Sequence, residues 1–146
     1  KFSEWLGKAE IAHKERLGAG SIIYLRSILE QITIDVGKKA GVDIYPKGKT
    51  DGRTKPFAQV LKAVDEKCAI IPVIYSDNGY KLFQKLSEIA HGNADEETAL
   101  REYEPLRRLV VGIMDNVKKI EAELKSNAEI KKALNAIGFS NGGEEE

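Results

Sequence analysis

The chain is poor in the residues that build reactive or cross-linked sites. It has one cysteine, Cys68, and two histidines, His13 and His91, among 146 residues. A single cysteine excludes an internal disulfide and fits a reducing compartment. Neither the histidines nor the cysteine show metal-ligand spacing, so no metal and no cofactor is expected. No apolar run approaches the roughly 20 residues that span a bilayer, and no signal peptide is visible, so a cytoplasmic protein with no membrane partner is expected. Charge of one sign is also missing: 23 Lys and Arg face 23 Asp and Glu. No overall field therefore recruits a polyanion. No strand leads into a glycine-rich phosphate loop, and no nucleophile sits in a triad-like context. The chain begins at Lys1 rather than Met, which leaves room for a longer parent protein.

What is present is helical periodicity. At 42% hydrophobic and 32% charged residues, the composition is that of a globular domain with many solvated helix faces. Residues 21–39 carry Ile22, Leu25, Leu29, Ile32 and Val36 in steps of three and four, one continuous apolar stripe. Phe2, Trp5, Leu6 and Ala9 give an earlier helix, and the two glycines of Leu17-Gly18-Ala19-Gly20 mark a break, a kink or a close helix crossing. Pro56 opens a third helix with Phe57, Val60, Leu61, Val64 and Cys68 on its buried side. Residues 70–75 read as an apolar connector, because Pro72 and the lack of a partner strand argue against a sheet. Leu82, Leu86 and Ile89 define a helix over 80–91 closed by Gly92. An acidic segment over 93–103 precedes a helix starting at Glu104-Pro105, whose seam is Leu106, Val110, Ile113, Val117, Ile120 and Leu124. Ser126 and Glu129 have the spacing of a capping box for a short final helix ended by Gly138. The expected fold is all-α: one domain over 1–139, an antiparallel helical bundle of about five to six helices, with 140–146 a disordered acidic tail.

Two places can carry function. The loop over 42–55 is basic, with Lys47, Lys49, Arg53 and Lys55; it is either a solvated loop or a phosphate-contacting one. The second place is the end of the fourth helix. His91 stands where helix carbonyls favour an imidazolium, Glu88 and Ser87 share its face, and Lys85 is six residues back. A cation beside an imidazole suits metal-free RNA cleavage, the ring moving the 2′-hydroxyl proton and the cation stabilising the phosphorane. The alternative is that His91 only locks helix to helix. His13, near the apolar side of the first helix, reads as a packing or surface residue. On the main helix, Arg26 and Glu30 are four apart at the edge of the stripe, within reach of each other.

Leu25-Arg26-Ser27-Ile28-Leu29-Glu30 on an early helix, together with Leu86-Ser87-Glu88-Ile89-Ala90-His91-Gly92-Asn93 ending a later one, resembles the HEPN superfamily. The likeness is greatest to HEPN-like domains found alone or fused to restriction and defence proteins, and it covers roughly residues 20–117. It implies an α-helical bundle that commonly forms a homodimer, with a pocket near Arg26, Glu30, Glu88 and Asn93. Catalytic relatives are metal-independent ribonucleases with an arginine four to six residues before the histidine. Here His91 matches the histidine, Lys85 stands at the arginine's place and Leu86 follows it, so a planar fork that grips phosphate is missing. The resemblance thus implies a non-catalytic, dimeric interaction module in a defence or regulatory setting, binding RNA, a nucleotide or a protein partner. The alternatives are a weak metal-independent endoribonuclease using His91 with Lys85 or Arg26, and a purely structural helical adaptor.

Overall fold

The computed structural model describes residues 1–45, 55–92 and 95–139. Lys47, Lys49, Arg53, Asn93 and the tail over 140–146 lie outside these described residues. Among the described residues there are five α-helices: α1 (Phe2–Lys14), α2 (Gly18–Lys39), α3 (Phe57–Cys68), α4 (Gly79–Ala90) and α5 (Glu96–Ala136). A 3-10 turn, Val73–Asn78, precedes α4, and no strand occurs among the described residues.

The apolar stripe of α2 lies at the centre. Ile22, Leu25, Ile28, Leu29 and Ile32 are buried, and Leu86 and Ile89 of α4 and Val110 and Ile113 of α5 join them in one core. The spacing of three and four puts these side chains on one face, and burying each contributes roughly 1.5 to 3 kcal/mol. Helix direction follows from the contacts at the ends. The N-terminus of α2 meets that of α5, where the Glu96 carboxylate accepts the Gly18 and Ala19 amide hydrogens at 2.6 and 3.2 Å. At the other end Lys39 reaches Glu121 at 3.6 Å. The two helices therefore run in the same direction. α1 runs against both: its His13 meets Leu100, whereas Lys1 and Phe2 border a small cavity with Met114 and Val117. α4 also opposes α5, because Tyr75, just before α4, donates to the Leu109 carbonyl and Lys85 meets Glu102.

Gly18 explains the break after α1. A Cβ there would lie 2.7 Å from the Ala99 Cβ and 2.8 Å from the Glu96 carbonyl oxygen, so the absence of a side chain lets α2 and α5 cross closely. The bend itself comes one step earlier, at Arg16, which takes a left-handed conformation with φ 62°. Its amide and that of Leu17 bond back to the His13 and Ala12 carbonyls. This is the cap in which one left-handed residue satisfies the last carbonyls of a helix.

α5 corrects the expected element boundaries. The acidic segment over 93–103 is not a linker: Asp95 accepts the Thr98 amide hydrogen at 2.7 Å and starts the helix at Glu96. Pro105, expected as a helix opener, lies inside α5 and is exposed. It removes one backbone donor, but neighbouring turns hold the helix through Tyr103 and Leu106, both buried. Ser126, expected as a cap, is also interior, so the short final helix is the last part of α5. That helix ends as expected: Gly138 has φ 82° and the Phe139 amide bonds to the Leu134 carbonyl at 2.8 Å.

Candidate functional site

α2 presents Arg26 and Glu30 one helical turn apart, and the guanidinium Nη2 lies 2.9 Å from the Glu30 Oε1. Each side chain is about 30% exposed, so the pair sits at the rim of the core rather than within it. A rim position follows from the sequence, since both residues lie one place past stripe residues Leu25 and Leu29.

α4 positions the remaining candidates. Lys85 points across the α4 and α5 interface, and its Nζ is 3.1 Å from the Glu102 Oε2. His91 is the residue after the last full turn of α4, exposed, with its backbone amide bonded to the Ser87 carbonyl at 3.0 Å. Among the described residues its ring takes no hydrogen bond, and Glu88 is exposed without an ion pair. Ser87 Oγ is buried without a partner. The geometry thus gives the Lys85 cation to Glu102. Gly92, at φ 79°, turns the chain directly after His91 and lets α5 fold back along α4. In the basic loop region, Lys55 faces Asp43 at 3.4 Å.

A second polar cluster, not anticipated from the sequence, joins α1 to α5. Tyr103 is fully buried and donates its hydroxyl to Glu10 Oε1 at 2.8 Å. Arg107 Nε approaches the same oxygen at 2.5 Å. The His13 ring stacks on Tyr103 with centroids 4.2 Å apart and planes 16° from parallel. His13 Nε2 lies 3.2 Å from the Leu100 carbonyl, where it donates. Burial, then the Glu10 hydrogen bond and charge, push the Tyr103 phenol well above its ordinary range. The phenol donates to a carboxylate that also pairs with the Arg107 guanidinium, and these contacts tie α1 to α5. The signal was present as two helical pairs, Glu10 with His13 and Tyr103 with Arg107, but only the register of α1 on α5 unites them.

Cavities lie elsewhere. One of about 470 Å³ lies between α3 and the 3-10 turn, bordered by Leu61, Asp65, Ile71, Asp77 and Tyr80. An open one of about 610 Å³ is bordered by His13, Arg16, Glu97 and Arg101. Neither includes Arg26, Glu30, Lys85 or His91. Among the described residues no group of three or more His, Cys, Asp or Glu side chains is placed to hold a metal ion. No described helix is long and apolar enough to cross a membrane.

Compared with known proteins, the chain gives no significant match to a family model, a curated protein or a solved structure.

Proposed function

We propose that this chain is a non-catalytic, dimeric interaction module of HEPN-like character, acting in the cytoplasm within a defence or regulatory protein and holding a protein partner. The observation that carries this reading is the ion pair between Lys85 and Glu102. Metal-free cleavage of RNA needs a cation at the phosphate while an imidazole moves the proton. A lysine neutralised by a carboxylate 3.1 Å away supplies little of that field. Arg26 is likewise engaged, with Glu30. The balance of 23 cationic and 23 anionic side chains favours a protein over RNA or a nucleotide, since it provides no net attraction for a polyanion.

The test is incubation of labelled single-stranded RNA with the full chain in EDTA, at high protein, alongside His91→Ala. No cleavage by either protein is expected, and retention of the RNA in a filter assay at physiological salt should be no greater than for a neutral control. Cleavage that disappears in His91→Ala overturns the reading in favour of a metal-independent endoribonuclease using His91 with Lys85 or Arg26. Tight RNA retention without cleavage moves the partner from protein to RNA.

A further inference from the structure

The last four turns of α5 leave the bundle. From Glu121 to Phe139 every residue is exposed except Leu134, which is half-buried. At 1.5 Å per residue the stretch beyond Leu124 projects about 18 Å from the body. A solvated arm of this kind is ordinarily polar all round. This one is not. Leu124, Ile130 and Ile137 are 64, 54 and 67% exposed, and with Ile120 and Leu134 they fall within one broad face centred near Asn127. Where the arm leaves the body, Val36, Cys68, Ile70, Val117, Ile120 and Leu124 line a small groove of about 130 Å³. The arm's apolar face runs directly into this groove, because Ile120 and Leu124 belong to both.

We propose that the occupant of this face is the same face of a second copy, the two arms lying antiparallel about a two-fold axis at Asn127. This sharpens the dimeric part of the reading above by naming its surface. Reversing the arm on itself about Asn127 sets Ile120 opposite Leu134, Leu124 opposite Ile130, and Val117 opposite Ile137 of the second copy. Each arm tip then reaches the groove at the base of the other, and the arrangement closes on itself as an isologous contact must. Charge selects the direction. Glu123 and Lys131 lie within this same face, about 40° to either side of Asn127 and four residues from it along the chain, so the antiparallel arrangement sets each Glu123 at the level of a Lys131 of the second copy. A parallel pair would place Glu123 beside Glu123 and Lys131 beside Lys131. Within one chain these two residues are eight apart, about 12 Å along the helix, too far to pair with each other. Asn127, in the middle of the apolar face, meets its own copy, and two side-chain amides there can each donate and accept.

The experiment combines charge exchange with cross-linking on the full chain. In sedimentation equilibrium the native chain is expected to be a dimer. Lys131→Glu should raise the dissociation constant by about tenfold or more, and the double exchange Glu123→Lys with Lys131→Glu should restore it. Circular dichroism of these exposed-site variants should be unchanged. In a Cys68→Ala background that sediments as the native chain does, Asn127→Cys should form a disulfide dimer under mild oxidation. Ala136→Cys should not, since nine residues from the axis place its copy about 27 Å away. A native chain that stays monomeric at its solubility limit overturns the proposal together with the dimeric part of the functional reading, and leaves the non-catalytic part to the RNA assay. A dimer in which Ala136→Cys cross-links as well as Asn127→Cys, or in which the double exchange is as weak as Lys131→Glu, overturns the antiparallel interface alone.

Discussion

The single residue on which the functional reading turns is Glu102. By taking the Lys85 cation it decides what the end of α4 offers a ligand, and it does so from a position 17 residues further along the chain. Such a partner is invisible to helical spacing, which reports neighbours three or four apart. The Arg26 and Glu30 pair is the opposite case, since its spacing alone makes it legible. What the sequence left open was burial, and about 30% exposure answers it. Arg26→Ala is accordingly expected to cost about 1 kcal/mol in a urea melt, close to the upper end for a solvated pair and well short of the 3 to 5 kcal/mol of a fully desolvated one. A loss of 3 kcal/mol or an unchanged midpoint would each contradict the rim position. Asp95 carries a pH dependence of its own. Hydrogen bonds from the Thr98 side chain and amide hold its carboxyl below the ordinary value of 3.8. Because the folded value is depressed, the stabilisation is complete above pH 3.8 and is lost as pH falls through the lower folded value. Following the Thr98 amide by NMR through that acid range should show the first turn of α5 loosening, and Asp95→Asn should remove the transition.

Among the elements, α5 holds the others in place. Its Glu96 caps α2, its Tyr103 and Arg107 bind Glu10 of α1, and its Glu102 binds Lys85 of α4. Its Asn116 side chain donates to the Ala69 and Ile70 carbonyls at the end of α3, at 3.0 and 2.8 Å. The seam from Leu106 to Val117 was legible as a stripe, and those residues are buried. The ends of the helix were not. Pro105 and the Ser126 to Glu129 spacing are local signals of a helix start, yet the helix continues through both; around Pro105 it is held by the contacts of Glu102, Tyr103 and Arg107 to α4 and α1. Glycine positions separate the two kinds of constraint. Gly7 has open space where a side chain would go, so Gly7→Ala should stabilise α1 by about 0.5 to 1 kcal/mol. Gly18→Ala should destabilise by about 1 to 3 kcal/mol, because the new methyl meets the Glu96 backbone and the crossing must open. Thermal melts of the two variants should therefore move in opposite directions.

For the whole molecule, the bundle was readable because each helix has one apolar face, and those faces share a core. The directions of the helices were less so. α2 and α5 run the same way, a result that depends on which ends meet and not on any stripe. The arm was hidden for a related reason. Leu124 continues the seam in perfect spacing, yet the bundle ends before it, leaving that residue 64% exposed. One rod thus fixes the frame of the bundle and carries an apolar face beyond it, and both roles require that α5 be unbroken from Glu96 to Ala136. The most direct test is a pulsed electron paramagnetic resonance distance between spin labels at the exposed positions Arg101 and Lys132, in a Cys68→Ala background diluted with unlabelled chain. A continuous helix separates these positions by 31 residues, so a narrow distribution near 46 Å is expected. A broad distribution, or one centred far shorter, would mean that the chain breaks at Pro105 or Ser126 and would contradict the account.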